Sequence, residues 1–234
     1  MKKLLSPDRI KVISFDADDT LWENEPYFRE TEQKFGELMH GYKSVEESVD
    51  HLLTVEFRNI PRYGYGIKGF TLSMMETALE IMGNDLNHKT VQQVLDLGKS
   101  MLQAPVILIE GIEETLQALQ KDFKLVMATK GDLVDQEKKL EQSGLASYFH
   151  HIEIMSEKHI KDYQKLIKHL DIHPSEFMMV GNSLKSDIVP VLELGGSAIH
   201  IPFRTTWIFE QIEGEIINEN FREIKHHTDL LQYR

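Results

Sequence analysis

The chain has 234 residues, 41% of them hydrophobic, enough for one large or two modest domains with a full core. Its 38 acidic and 26 basic residues leave a net charge of −12, which argues against nucleic acid or an anionic membrane as a partner held by overall field. Cysteine is absent, so disulfides and thiolate catalysis are excluded, and no apolar run reaches the length of a membrane span.

The opening Met1-Lys2-Lys3-Leu4-Leu5 starts like a secretory leader, but Ser6-Pro7-Asp8-Arg9 interrupts it before an apolar stretch forms. A soluble cytoplasmic protein, monomer or homodimer, is therefore expected. The first element is a short strand in K-V-I-S-F-D-A-D-D-T-L-W, from Lys11 to Trp22. Val12, Ile13 and Phe15 favour a strand buried on both faces, and the run ends abruptly in Asp16, Asp18 and Asp19. Open α/β sheets build their sites at such carboxyl ends, where strand order reverses. Asp16 and Asp18 are two apart, so extended backbone points both to one side. Like charges that close push one carboxyl toward protonation unless a cation or an acid/base role relieves them.

From Glu23 the pattern turns helical. Phe28, Phe35, Leu38, Met39 and Tyr42 fall at helical spacing, as do Val45, Val49, Leu52, Leu53 and Phe57. The stretch N-I-P-R-Y-G-Y-G-I-K-G then reads as a break, followed by helices around Thr71–Met82 and Thr90–Leu102. With about four helices and no strand between them, the segment exceeds what a βαβ crossover needs. It reads as an inserted helical domain over 23–104, with 1–22 and 105–234 forming an α/β core.

After Pro105 strands and single helices alternate. Gly111–Asp122 is an amphipathic helix, Lys124–Thr129 a strand, and 133–143 a helix closed by Gly144. His151–Met155, Phe177–Val180 and Ser197–Ile201 are further strands, with helices ending near Leu170 and Leu194 between them. This order predicts a doubly wound parallel sheet. In the last thirty or so residues, Trp207 and Phe209 are expected on the core, Phe221–Ile224 as an edge strand, and Asp229–Tyr233 as a helical turn.

Polar clusters follow these strands: Asp16, Asp18 and Thr20; then Thr129 with Lys130; then Lys158; then Asn182 and Asp187 in G-N-S-L-K-S-D. The order D-x-D-x-T, Thr, Lys, G-N-x-x-x-x-D resembles the haloacid dehalogenase superfamily of hydrolases across the whole core, including the place of the inserted helical cap. The resemblance implies a Rossmann-like core and a magnesium-dependent phosphate monoester hydrolase. It makes Asp16 the nucleophile that forms an aspartyl-phosphate and Asp18 the general acid and then base. Thr129 and nearby N–H groups would hold the transferring oxygens, and Lys158 would neutralise them and the nucleophile. Asp16 and Asp187 would ligate magnesium by carboxylate and Asp18 by its carbonyl, with Asn182 touching the ion through water.

Three departures stand out. Asp19 occupies a place where many relatives have glycine, and the sequence leaves its direction open. Lys130 stands where asparagine is common, free to contact phosphate or point to solvent. Asn182 replaces an acid, which thins the metal site by one charge. Thr20, Lys130, Arg62, Tyr63 and Lys68 are the candidate substrate contacts, the last three because Arg, Tyr and Lys around a glycine-rich loop suit a polar or anionic small molecule. The adjacent histidine pairs, His150-His151 and His226-His227, cannot easily chelate one ion and are expected at solvent or at edges.

Asp18 favours phosphate esters over carbon–halogen bonds, because a halide leaving group needs no acid and the dehalogenase branch resembles D-x-Y. A phosphomutase or 2-haloacid dehalogenase on the same scaffold remains the alternative. A phospho-acceptor signalling module fits less well, since receivers carry the acceptor on a later strand and no helical insertion.

Overall fold

The computed structural model describes residues 9–205, 207, 210 and 214–233. The chain divides into two units. One comprises the described residues up to Glu25, Val106–Lys130 and those from Gln136 onward; the other comprises Pro26–Pro105 with Gly131–Asp135.

The first unit is built on a wholly parallel six-stranded sheet. Its strands are β1 (Val12–Phe15), β2 (Lys124–Lys130), β3 (His151–Met155), β4 (Phe177–Gly181), β5 (Ser197–His200) and β6 (Phe221–Glu223). Their order is β3-β2-β1-β4-β5-β6, so the chain winds one way from β1 and then crosses to the other side. The reversal falls between β1 and β4, which places a crevice at their carboxyl ends. Successive side chains of β1 face opposite layers, as strand geometry demands. Ile13 and Phe15 pack with Leu116, Leu125, Met127, Met178 and Val180, whereas Val12 joins Val126, Ala128, Tyr163, Leu166 and Met179 on the other face. Full burial of such side chains is worth about 2 kcal/mol each, so β1 is pinned in depth and register.

The helices of this unit are α5 (Ile112–Leu119), most of α6 (Leu133–Ser143), α7 (Ile160–His169) and the short α8 (Val189–Glu193). A single π turn, Leu184–Ile188, precedes α8 and carries Asp187. The C-terminal turn predicted at 229–233 is a 3-10 helix that begins two residues earlier, His227–Tyr233. Trp207 is half-buried, and Phe209 lies outside the described residues.

The second unit holds most of α1 (Glu25–Leu38), with α2 (Val45–Tyr63), α3 (Ile67–Met82) and α4 (His88–Leu102). Its core joins Phe35, Met39, Leu52, Phe70, Met74, Ala78, Val94 and Met101. Gly98 of α4 lies against Thr71 of α3 so closely that a Cβ there would sit 2.2 Å from Thr71 Oγ1. Met74 and Met82 are buried core residues.

One expectation is corrected here. The break read at 59–69 is only Gly64–Gly66, because α2 runs through Pro61 to Tyr63. Proline costs one intrahelical hydrogen bond, but Asn59 is buried with its amide on Ser73 Oγ at 3.3 Å, and Gly64 N–H donates to the Ile60 carbonyl at 2.9 Å. The anchored Asn59 and that closing bond outweigh the proline. Among the described residues no helix is long and apolar enough to cross a membrane.

Candidate active site

Asp16 is the first residue beyond β1, and its N–H donates to the Val180 carbonyl of β4 at 2.9 Å. The strand's buried register therefore fixes where its carboxylate emerges. Lys158 follows β3 and is itself buried. Its ammonium spans two carboxylates, 2.5 Å from Asp16 Oδ1 and 2.7 Å from Asp187 Oδ1. Asp187 is held in turn by the Ser183 N–H, which donates to Oδ2 at 3.0 Å. Thr20 Oγ1 lies 3.5 Å from Asp16 Oδ2 and 3.3 Å from Asn182 Oδ1, closing the group on its second side.

Burial dominates the electrostatics of this cluster. It pushes the Asp16 carboxyl up to about 7, with Lys158 pulling down and Asp187 pushing further up. Burial also opposes the charge on Lys158, yet Asp16 and Asp187 together hold its ammonium above the usual lysine range. Two buried carboxylates thus share one buried cation. Besides Lys158, the side chains brought together here, those of Asp16, Asp187, Thr20 and Asn182, offer oxygen atoms, and hard oxygen donors suit magnesium, which takes one or two carboxylates and keeps its remaining water. Among the described residues no set of three His, Cys, Asp or Glu side chains could hold a metal. A two-carboxylate site needs no such set, so Asp16, Asp187 and the amide of Asn182 fit the ion.

Asp18, Thr129 and Lys130 stand at the same sheet edge but are tied elsewhere. Asp18 turns its carboxylate to Trp22 Nε1 at 2.7 Å, Gln136 Nε2 at 2.8 Å and Lys139 Nζ at 3.1 Å. Thr129, buried at the end of β2, donates its hydroxyl to the Lys130 carbonyl at 3.2 Å. Lys130 does not point to solvent. Its ammonium reaches Ser186 Oγ at 3.0 Å and Glu210 Oε1 at 2.5 Å. Glu210 also accepts from the hydroxyls of Ser183 and Ser186. Burial works against the Glu210 charge, but Lys130 and the two hydroxyls hold its carboxyl down at about 2.

Asp19 turns to its own chain. It adopts φ 61°, in the left-handed region where glycine is at ease and Asp is among the better-tolerated alternatives. Its carboxylate accepts from the N–H groups of Asn24 at 2.8 Å and Glu25 at 3.0 Å. Burial nevertheless raises it to about 8.

Arg62, Tyr63 and Lys68 belong to the helical unit and are exposed there. Arg62 and Tyr63 occupy the last turn of α2 instead of a loop, and the Tyr63 hydroxyl donates to Glu76 at 2.7 Å. Lys68 sits in the first turn of α3, paired with Asp132 at 2.8 Å.

Reading the motifs alone misses Gln136, Lys139, Glu210 and His200. The Nε2 of His200 lies 3.0 Å from the Asn182 carbonyl, and its Nδ1 lies 2.9 Å from Glu223. His227 also departs from expectation, being buried while His226 is exposed. The spacing of Gln136 and Lys139, three apart on one helix, was the available signal, but it looks like any polar helix face.

A family model of haloacid dehalogenase-like hydrolases matches residues 10–192. The N-acylneuraminate-9-phosphatase of Mus musculus is 28% identical over 211 residues, covering 86% of this chain and 83% of that protein. A glyceraldehyde 3-phosphate phosphatase of Pyrococcus furiosus is 25% identical, over 80% of this chain and 78% of its own. The crystal structure of a haloacid dehalogenase-like family hydrolase from Xanthomonas campestris matches with a TM-score of 0.85 and 38% identity, covering 95% of this chain and 89% of that one.

Proposed function

The chain belongs to the haloacid dehalogenase-like hydrolases, and from that premise we propose that it cleaves phosphate monoesters of small molecules by way of a phosphorylated Asp16, with magnesium as cofactor. One observation carries this reading: the Lys158 ammonium bridges Asp16 and Asp187 in a buried cluster at the sheet's switch point. A nucleophilic carboxylate approaching a phosphate dianion needs positive charge at just that place.

Asp16 attacks phosphorus while Lys158 offsets the charge on the nucleophile and on the transferring oxygens. Thr129, released from its bond to the next carbonyl, donates to those oxygens, and Thr20 steadies the Asp16 carboxylate. Asp18 gives a proton to the leaving oxygen and takes one from the water that hydrolyses the intermediate. Asp16, Asp187, the Asp18 carbonyl and Asn182 would hold magnesium, which would supply Lewis-acid charge to the phosphoryl transfer. Substrate selection is assigned to the helical unit, with Arg62, Tyr63 and Lys68 as the residues to vary.

The names of the relatives favour an ester of a sugar acid or a triose over a halide. The test is phosphate release from p-nitrophenyl phosphate with magnesium and with EDTA, followed by a panel of phosphorylated sugars, sugar acids and trioses. Metal-dependent release is expected. Activity unaffected by EDTA, or none on any phosphate ester, overturns the reading.

A further inference from the structure

We propose that Gln136 and Lys139 of α6 are positioning residues for Asp18, anchoring its carboxyl so that a single site on Oδ2 is left to carry the transferred proton. The inference rests on the phosphatase reading and adds to it two residues outside the motifs.

A carboxylate offers roughly four lone-pair directions, shared between its two oxygens. On Asp18, Oδ1 accepts from both Trp22 Nε1 and Lys139 Nζ, and Oδ2 accepts from Gln136 Nε2. Among the described residues Oδ1 is therefore filled, and Oδ2 has one direction remaining. The three donors are themselves well fixed. Trp22 is a buried core residue, and its backbone carbonyl accepts from Asp19 N–H at 2.7 Å. Gln136 is buried, and its Nε2 also donates to the Lys130 carbonyl at 3.1 Å, at the end of β2. Lys139 is mostly buried and also reaches Asn24 Oδ1 at 2.9 Å. A proton donor is useful only when its orientation is set in advance, and these contacts hold the carboxyl plane against rotation.

As the Asp16 oxygen bonds to phosphorus, the bond from phosphorus to the ester oxygen breaks and its electron pair stays on that oxygen. The proton on Asp18 Oδ2 moves to it, releasing the alcohol. A water oxygen then bonds to phosphorus, its proton passes to Asp18 Oδ2, and the bond from phosphorus to Asp16 breaks, releasing phosphate. Oδ1 takes part in neither transfer.

The experiment compares rapid-quench rates of enzyme phosphorylation by p-nitrophenyl phosphate, whose leaving group needs little acid, and by the best alkyl phosphate of the panel. Lys139→Met is expected to lower the alkyl-to-aryl rate ratio about tenfold or more, since the acid is misplaced only where it is needed. KM for both esters should stay within about twofold. Lys139→Arg should restore the ratio, because it keeps a donor at the same height. Gln136→Leu should lower the ratio in the same direction and carries the test if Lys139→Met fails to fold. General structural damage would slow both esters alike. An unchanged ratio in the folded variants, with wild type active, overturns this inference alone. A wild type that forms no phosphoenzyme overturns the phosphatase reading and this inference together.

Discussion

The Asp187 carboxylate rests directly against the α-carbon of Gly181, where an added Cβ would lie 2.2 Å from Oδ2 and 2.7 Å from the Asp187 Cβ. The glycine that ends β4 is thus a space requirement of the acid beside it. Gly181→Ala should displace Asp187 from Lys158 and raise the magnesium concentration needed for half-maximal activity about tenfold, with Asp187→Ala raising it further. Asn182→Asp should lower that concentration modestly, since an added charge at a partly wet site is worth about 1 kcal/mol. Titration of activity against magnesium in the three variants decides the point. An unchanged requirement in Gly181→Ala or Asp187→Ala would remove Asp187 from the metal site.

Asp19 is predicted to serve stability rather than chemistry. Asp19→Ala loses the acceptor for Asn24 and Glu25 N–H and keeps a side chain at positive φ, so it should cost about 2 kcal/mol in urea unfolding. Asp19→Gly recovers the backbone ease and should cost less. Asp19→Asn keeps an acceptor without charge and should cost least, as befits a carboxyl that burial has already raised to about 8. Equal stability of the Ala and Asn variants would contradict this.

The C-terminal 3-10 helix should make the fold sensitive to mild acid. His227 is buried, its Nε2 has no partner among the described residues, and burial drives its imidazole from 6.5 down to about 4, against a hydrogen bond to the Thr20 backbone and with His226 adding repulsion. As pH falls through 6.5 the unfolded chain takes up this proton while the folded chain does not. The unfolded state then binds more protons, so stability falls between about pH 6.5 and 4, by up to about 3 kcal/mol from this group. His227→Gln should flatten that part of a urea-midpoint profile against pH. The same slope in the variant would assign the acid sensitivity elsewhere.

Strands β1, β2, β4 and β5 were legible because they are short, largely apolar runs buried on two faces, a pattern that needs no tertiary information. The half-exposed β3 and β6 show only in the alternation of strands with helices. Asp16, Lys158 and Asp187 were legible as a set because each follows a strand, and parallel strands deliver their ends to one edge. The continuation of α2 through Pro61 was not, since local propensity opposes it and the packing of Asn59 on Ser73 decides it. Nor were the partners of Asp18 and Lys130. Gln136 and Lys139 lie 118 and 121 residues from Asp18 in the chain, and Glu210 lies 80 from Lys130, so no local pattern links them. His227 was hidden for a similar reason: one member of an exposed-looking pair is buried, and its backbone partner, Thr20, lies far away in the chain.

Quenching the enzyme in acid during turnover of p-nitrophenyl phosphate traps whichever residue carries the phosphoryl group. Proteolysis and mass spectrometry of the quenched sample should place one phosphoryl group on the peptide Lys11–Trp22, at Asp16, and none in Asp16→Ala, which should also lack turnover. A phosphoryl group on any other residue, or sustained turnover in purified Asp16→Ala, would contradict the account.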